Sequence, residues 1–323
     1  MTLPDRDALL SALELVRQAM PPTPQQRWPL LDARCGAQVW VKHENHTPVG
    51  AFKLRGGLVY IEGLKRREPR LREVVSATRG NHGQSIAFAA ARHGLAATIV
   101  VPRGNSVEKN AAMRALGARL VEHGDDFDEA RVEARRIADE EGIVYAPSFA
   151  PELVLGVATY ALELFRGAPP LDALYVPIGL GSGICGCMLA RDLLGLPTEI
   201  IGVQSTEADA YARWRAHQGG AGSGARLPTE REWEQGARTS GFPQEAEGFL
   251  DSRTLHPQAA RHARRAGRWR RDERLRIRGR LLPDATRLLP GADLRSGHVH
   301  VHAVISRLGT RRLRGLRASC ASG

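Results

Sequence analysis

Lys53 lies between a strand-like segment, residues 38–42, and a helix-like segment, residues 54–66, in a chain of 323 residues. A lysine at such a junction can direct its amine into a cleft between two structural layers. Partial burial there would lower the pKa of the amine and make it a nucleophile towards aldehydes. On this segment alone, an exposed lysine at a helix start is the simpler interpretation, but two further segments favour chemistry.

A second candidate segment, residues 76–84, leads from a strand through a turn into a helix, with the sequence Ser-Ala-Thr-Arg-Gly-Asn-His-Gly-Gln. Backbone N–H groups at a helix start have no partner within the helix and suit an anion, such as a substrate carboxylate. The Asn81 amide adds a donor and an acceptor at the same edge. An ordinary turn capped by asparagine explains these residues equally well.

A third segment, residues 179–183, has the sequence Gly-Leu-Gly-Ser-Gly and again separates a strand from a helix. Glycines allow the backbone to approach a phosphate closely, and the helix dipole favours the anion. The overlapping residues 181–186 also match a dinucleotide-binding fingerprint. The acid that such a site needs after the next strand is absent, because Gln204 and Ser205 occupy that place. A phosphate site is therefore favoured over a nicotinamide site.

In order and spacing, these three segments resemble the pyridoxal-phosphate enzymes of fold type II, and within them the threonine/serine dehydratases, or threonine ammonia-lyases. Ala51-Phe52-Lys53 corresponds to that family's Ser-Phe-Lys motif, residues 80–82 to its Gly-Asn-His turn, and residues 179–183 to its glycine-rich loop. The resemblance covers residues 25–211. It implies an α/β fold with two parallel-sheet lobes of the tryptophan-synthase-β type.

The resemblance also implies roles for individual residues. Lys53 would be the catalytic residue and would bind pyridoxal 5'-phosphate covalently, Phe52 would line the ring pocket, and Asn81 would bind the phenolic oxygen. The cofactor phosphate would be held by Gly179, Leu180, Gly181, Ser182 and Gly183. The substrate carboxylate would be received by Thr78, Gly80, Asn81 and His82. The implied reaction is elimination of water from L-threonine or L-serine, and hydrolysis of the resulting enamine then yields a 2-oxo acid and ammonia.

Two departures from the family pattern narrow the expected chemistry. Arg79 stands where related racemases have a serine that acts as a second acid or base. Because arginine does not lose its proton in proteins, racemisation is not expected. Gln204 and Ala210 stand where metal-binding relatives have acidic ligands, so we expect no metal there.

Strands alternate with helices of 10–15 residues up to about residue 211, which predicts parallel sheets with ligands at the carboxyl ends of their strands. By the resemblance, residues 1–43 and 147–211 form part of the larger lobe, and residues 44–146 form a smaller inserted lobe. The larger lobe is expected to be incomplete.

Residues 212–323 form a basic tail with 23 arginines, no lysine and 10 acidic residues, whereas residues 1–211 carry a net charge of −2. We expect the tail to be irregular, with only residues 298–305 alternating like a strand. One hypothesis is that the tail is translated out of frame from a GC-rich gene, and recovery of a family-like continuation in another frame would test it. The alternative function is sequence-independent nucleic-acid binding through the tail. The scarcity of aromatic residues and the lack of a helical period disfavour it.

The four cysteines do not form a disulfide framework in a chain of this length, and no apolar run is long enough to span a membrane. These features predict a cytoplasmic protein without a membrane partner, and the resemblance implies that its substrate is a small amino acid. The resemblance adds the expectation of a homo-oligomer.

Overall fold

The computed structural model describes residues 4–203 and the backbone of residues 302–306. Gln204, Ala210 and the rest of the basic tail lie outside the described residues, and so do the predictions made for them. None of the helices within residues 4–203 is long and apolar enough to cross a membrane.

Helices and strands alternate along the described chain, as the sequence predicts. The helices are α1 (Arg6–Arg17), α2 (Pro29–Cys35), α3 (Lys53–Arg67), α4 (Asn81–Arg92), α5 (Val107–Ala115), α6 (Phe127–Glu141), α7 (Pro151–Gly167) and α8 (Ser182–Leu193). The strands are β1 (Gln25–Arg27), β2 (Gln38–Lys42), β3 (Glu73–Ala77), β4 (Ala96–Val101), β5 (Arg119–Glu122), β6 (Val144–Tyr145), β7 (Ala173–Pro177), β8 (Glu199–Val203) and β9 (His302–Ser306). A single 3₁₀ turn spans Glu44–His46.

The smaller sheet has the strand order β5-β4-β3-β6, and all of its strand pairs are parallel. Both of its faces are covered, because side chains of successive residues belong to different hydrophobic clusters. Val74 and Ile99 pack with α3 and α4, whereas Val75 and Val100 pack with α6. Burial on both faces explains why these strands are continuously apolar rather than alternating.

The larger sheet has the order β1-β2-β9-β7-β8 and is mixed rather than wholly parallel. The β7–β8 pair is parallel, but β9 lies antiparallel to both β2 and β7. The register pairs Lys42 with His302 and Gln38 with Ser306. Of the strand predicted over residues 298–305, residues 302–305 lie in β9, which joins strands that are distant in sequence, and residues 298–301 lie outside the described residues.

Helix α3 is held tightly between α7 and α4 by glycines. A Cβ on Gly56 would lie 2.7 Å from the Leu153 carbonyl oxygen, and a Cβ on Gly156 would overlap with the Arg55 backbone. A Cβ on Gly57 would overlap with the Ser85 hydroxyl. Because all three positions lack a Cβ, the backbone of α3 approaches both neighbouring helices closely, which fixes the start of α3 in space.

Candidate active site

Lys53 is the first residue of α3, and its backbone is anchored from two sides. The Ser85 hydroxyl of α4 donates a hydrogen bond of 2.6 Å to the Lys53 carbonyl oxygen. In the loop before the helix, Ala51 N–H donates to the Thr47 hydroxyl oxygen at 2.8 Å, and this hydroxyl donates back to the Ala51 carbonyl at 2.9 Å. The direction in which the Lys53 side chain leaves the backbone is therefore well defined.

The Lys53 amine is enclosed and has no hydrogen bond or ion pair with a described residue. Burial lowers the pKa of Lys53 from 10.5 to about 8. Its Nζ lies 5.4 Å from the centroid of the Phe52 ring. An amine with this pKa is partly neutral near physiological pH, and a neutral amine is the form that attacks aldehydes.

Phe52 connects the lysine to the glycine-rich loop. A Cβ on Gly183 would lie 3.5 Å from Phe52 Cζ, and the Phe52 ring meets Tyr160 edge-on at 6.0 Å between centroids. The Tyr160 hydroxyl lies 3.3 Å from the Gly183 carbonyl oxygen, to which it donates, and 2.9 Å from Cys187 Sγ. Lys53 and the start of α8 therefore lie next to the same aromatic pair.

The glycine-rich loop follows β7 and ends where α8 begins. Gly181 has φ +99°, a left-handed conformation that favours glycine, and the next residue, Ser182, is buried. The direction in which a Cβ on Gly179 would point is open space. The N–H groups of the first α8 turn have no partner within the helix. An anion can therefore approach this loop closely, as the sequence predicts for a phosphate.

The turn before α4 is shaped by Thr78. Its hydroxyl oxygen accepts from Gly80 N–H at 2.9 Å and from Gly83 N–H at 3.2 Å. Gly80 has φ +158°, and Asn81 is the first residue of α4. Thr78, Gly80 and Asn81 thus lie together at the carboxyl end of β3, next to His82.

His82 is buried, and its Nε2 has no hydrogen-bond partner among the described residues. Burial and the nearby charge of Lys53 lower the pKa of His82 to about 3, although hydrogen bonds to the backbone of Ala146 and Pro147 act in the opposite direction. The imidazole is therefore neutral at physiological pH. An unpaired buried polar atom beside Lys53 indicates a place where a ligand group completes the hydrogen bonding.

The geometry brings the predicted residues of all three segments to one region. Lys53 lies beside the Phe52 ring, its charge acts on His82, and Phe52 links it to Gly183. Three residues near this region were absent from the predicted site, namely Ser85, Lys109 and Tyr160. Nothing in the local sequence marks Ser85 or Tyr160, because their contacts arise from helix packing.

The family described as "Pyridoxal-phosphate dependent enzyme" matches residues 16–252. The chain belongs to this family. The match continues beyond residue 211, where the regular alternation of strands and helices ends in the sequence. Pyridoxal phosphate is the cofactor of the family, and the enclosed Lys53 amine, the Phe52 ring and the open glycine loop at a helix start suit its aldehyde, ring and phosphate.

Relatives within the family include threonine dehydratases. The chain is 34% identical over 194 residues to "L-Threonine dehydratase biosynthetic IlvA" of Salmonella typhimurium, covering 60% of this chain and 38% of the relative. It is 37% identical over 171 residues to "L-threonine ammonia-lyase" of Thermotoga maritima, covering 53% and 42%. The chain thus spans about two fifths of the length of these curated relatives.

Solved structures of this family have the same fold. The processed form of threonine deaminase isoform 2 from Solanum lycopersicum superposes with a TM-score of 0.60 at 31% identity, covering 68% of this chain and 61% of that one. A pyridoxal 5'-phosphate-dependent aspartate racemase superposes with a TM-score of 0.64 at 25% identity, covering 72% and 73%. The fold therefore occurs in both eliminating enzymes and racemases.

Beneath the site, a buried ionic cluster supports α3. Arg55 is fully buried and donates to Glu44 Oε2 and to Glu163 Oε2, each at 2.8 Å. Lys42 Nζ donates to Glu163 Oε2 at 2.7 Å and to the Thr23 carbonyl oxygen at 2.9 Å. Burial alone would raise the pKa of Glu163, but the bonds from Arg55 and Lys42 outweigh it and lower that pKa. The cluster links β2 and α7 to Arg55 of α3, which lies two residues after Lys53.

Proposed function

We propose that this chain catalyses pyridoxal-phosphate-dependent deamination of L-threonine or L-serine, in which the β-hydroxyl leaves as water and the resulting enamine is hydrolysed to a 2-oxo acid and ammonia. The observation that carries the proposal is the enclosed Lys53 amine, whose pKa is about 8, beside Phe52 and His82. The names of the threonine dehydratases and deaminases to which the chain is similar support the choice of reaction. Both threonine and serine are proposed substrates.

The residues that would hold the cofactor come from three helix starts. Lys53 would bind it covalently, Phe52 would line the ring, and Asn81 would bind the phenolic oxygen. The phosphate would lie at the loop formed by Gly179, Leu180, Gly181, Ser182 and Gly183. When bound, pyridoxal phosphate supplies an electron sink that stabilises negative charge at the Cα of an amino acid.

The Lys53 amine is suited to accept the Cα proton of the substrate. With a pKa of about 8, roughly a quarter of this amine is neutral at pH 7.5, whereas an ordinary lysine is almost wholly protonated there. A base whose pKa is near the working pH is partly unprotonated and still has a high affinity for a proton. His82 stays neutral and serves as a hydrogen-bonding group at the turn, where Thr78, Gly80 and Asn81 would receive the carboxylate together with it.

The two sheets support the division into a larger lobe, residues 1–43 and 147–211, and a smaller one, residues 44–146, because each sheet draws its described strands before residue 204 from one of these lobes. We further propose a cytoplasmic homo-oligomer. The free thiols of Cys35, Cys185 and Cys187 agree with a reducing compartment. The alternative, nucleic-acid binding through the basic tail, gains no support from the comparisons and depends on residues outside those described.

Cofactor binding by the purified chain tests the proposal. Pyridoxal phosphate should give the native chain a visible absorption band that sodium borohydride abolishes, and Lys53→Ala should lack this band. Lys65→Ala, which removes a lysine at the other end of α3, should keep it. A band of equal strength in Lys53→Ala would overturn the assignment of Lys53, and elimination products absent from the loaded native chain would overturn the reaction.

A further inference from the structure

Helix α5 lies directly against the start of α4, where the substrate is expected. Lys109 and Met113 are four residues apart and therefore lie on the same face of α5. A Cβ on Gly80 would overlap with the stem of Lys109, and a Cβ on Gly83 would lie 2.6 Å from Met113 Sδ. Because glycine occupies both positions, α5 can approach closely, and Lys109 passes across the Gly80 turn.

The Lys109 amine is not used to hold the fold together. Lys42 and Lys65, two of the four lysines in residues 4–203, bond to carboxylate or carbonyl oxygens. The amines of Lys53 and Lys109 make no hydrogen bond or ion pair with any residue that the structure describes. Lys109 is also half-buried, and this burial lowers its pKa. An amine left without an acidic partner in such a position is available to a ligand.

A positive charge would strengthen the binding of a carboxylate at this turn, and the predicted binding residues do not provide one. His82 is neutral because its pKa is about 3, and its buried Nε2 is unpaired within the described chain. Thr78, Gly80 and Asn81 are uncharged, and the start of α4 contributes only a partial charge. Arg79 belongs to the turn, but it is exposed to solvent. Lys109 is the cation whose stem is packed onto the turn itself.

We propose that the Lys109 ammonium binds the α-carboxylate of the amino-acid substrate at the Gly80–His82 turn and makes the site select for that group. This inference rests on the proposed function, because it assigns the anion expected at the turn to an amino acid. Lys109 would act as a specificity-determining residue that contacts the substrate, while Lys53 handles the proton.

A labelling experiment tests the contact without any cofactor chemistry. Acetic anhydride would label lysine amines of the full chain, and mass spectrometry would follow Lys109 with added lactate or with propylene glycol, its neutral analogue. Neither molecule has an amine, so neither can bond to the cofactor aldehyde. Lactate should protect Lys109 from acetylation and propylene glycol should not. Equal labelling in both additions would overturn the proposal, whether or not the chain binds pyridoxal phosphate.

Ligand titrations of the cofactor-loaded chain give a second readout. Lys109→Met should weaken binding of L-threonine by about 10- to 100-fold, since a charged hydrogen bond is lost. Binding of isopropanolamine, which matches threonine without its carboxylate, should change by less than about twofold. Arg114→Met is the matched control, because Arg114 lies on the same helix and instead pairs with Glu122. It should leave both affinities unchanged, and Lys109→Arg should recover most of the threonine affinity.

The outcomes separate the two proposals. Equal weakening of threonine and isopropanolamine by Lys109→Met would show a structural effect and overturn the role of Lys109. A native chain without a borohydride-sensitive visible band would overturn the proposed function, and the lactate labelling alone would then decide on Lys109.

Discussion

Lys42, which is buried, and Lys53, which is partly buried, differ in what surrounds their amines, and this difference distinguishes a structural lysine from a reactive one. Lys42 is 1% exposed, and its amine is bonded to Glu163 and to the Thr23 carbonyl oxygen. The Lys53 amine has no such partner within the described residues, and burial alone lowers its pKa to about 8. A buried ammonium without a counter-charge destabilises the fold, but its neutral form is reactive.

Replacement of Lys53 by methionine should therefore stabilise the cofactor-free chain. At pH 7 the unfolded state binds the proton more tightly than the folded state, so removal of this amine should raise the free energy of unfolding by about 1–3 kcal/mol. The folded-state pKa lies below the unfolded one, so the native chain gains stability as pH rises from about 8 towards 10.5. Urea denaturation at several pH values would measure both effects.

In Lys53→Met the stability gained between these pH values should be reduced, so that the two chains converge at alkaline pH. Lys65→Met serves as the control for loss of a lysine on α3. If Lys53→Met were less stable than the native chain at pH 7, the amine would have a partner that compensates for its burial.

The sequence predicts those site residues that belong to local motifs. Lys53, the Asn81 turn and the glycine loop each occupy a junction between a strand and a helix, so spacing alone predicts that they meet at the sheet edges. Lys109 and Tyr160 act through contacts between α5 and α4 and between α7 and α8. Helix packing of this kind depends on tertiary distances that no local pattern contains.

At the scale of elements, the start of α3 depends on the close approach of α7 at Gly156. Gly156→Ala should lower the free energy of unfolding by about 2–4 kcal/mol, because the new Cβ would overlap with the Arg55 backbone, which cannot move freely. Gly63→Ala on α3 is a suitable control, since its nearest neighbour is the flexible end of Arg67 at 3.4 Å. Gly63→Ala should be neutral or stabilise the helix by about 0.5–1 kcal/mol. Equal effects of the two substitutions in urea denaturation would contradict this account of the packing.

The buried ionic cluster should respond strongly to loss of its central cation. Arg55→Met leaves Glu44 and Glu163 without their common partner and should cost about 3–5 kcal/mol of unfolding free energy. Arg67→Met, which breaks the more exposed pair with Glu152, should cost less than about 1 kcal/mol.

The pH dependence of this loss identifies its cause. Arg55 lowers the pKa of Glu163, so the stability that this pair contributes is present at neutral pH and is lost as the carboxylate is protonated. The difference between Arg55→Met and the native chain in chemical denaturation should therefore shrink at acid pH. A difference that does not change with pH would point to lost packing rather than lost charge.

Most elements were predictable because their apolar patterns are long. The strand predicted over residues 38–42 matches β2, and the helix predicted over residues 54–66 lies within α3. Helix α2 was missed because it has seven residues and buries none of them, so it has no apolar period. The three residues of β1 are all polar, so this strand has no apolar pattern. The mixed order of the larger sheet was not predictable, because β9 comes from the far end of the chain.

At the scale of the whole molecule, the candidate site joins helices that pack against different sheets. Lys53 and Asn81 begin α3 and α4 beside the smaller sheet, whereas the glycine loop leads from β7 of the larger sheet into α8. A cofactor that contacts all three would therefore hold the two halves of the described structure together. Residues 212–323 carry a net charge of +13, whereas residues 1–211 are nearly neutral.

Pyridoxal phosphate should consequently stabilise the chain as a whole. A ligand at 100 times its dissociation constant raises the free energy of unfolding by about 2.7 kcal/mol, so the thermal unfolding midpoint should rise with cofactor concentration. Pyridoxine, which lacks the aldehyde and the phosphate, should have little effect, and Lys53→Ala should reduce the response to pyridoxal phosphate. Equal shifts with both vitamers would indicate binding outside the proposed site.

The most direct test is to locate the covalent bond itself. The native chain would be loaded with pyridoxal phosphate, reduced with borohydride and digested, and the modified peptide would be sequenced by mass spectrometry. We predict one stoichiometric phosphopyridoxyl group on Lys53. Modification spread over Lys42, Lys65 and Lys109, or absent from Lys53, would contradict the assignment of this site.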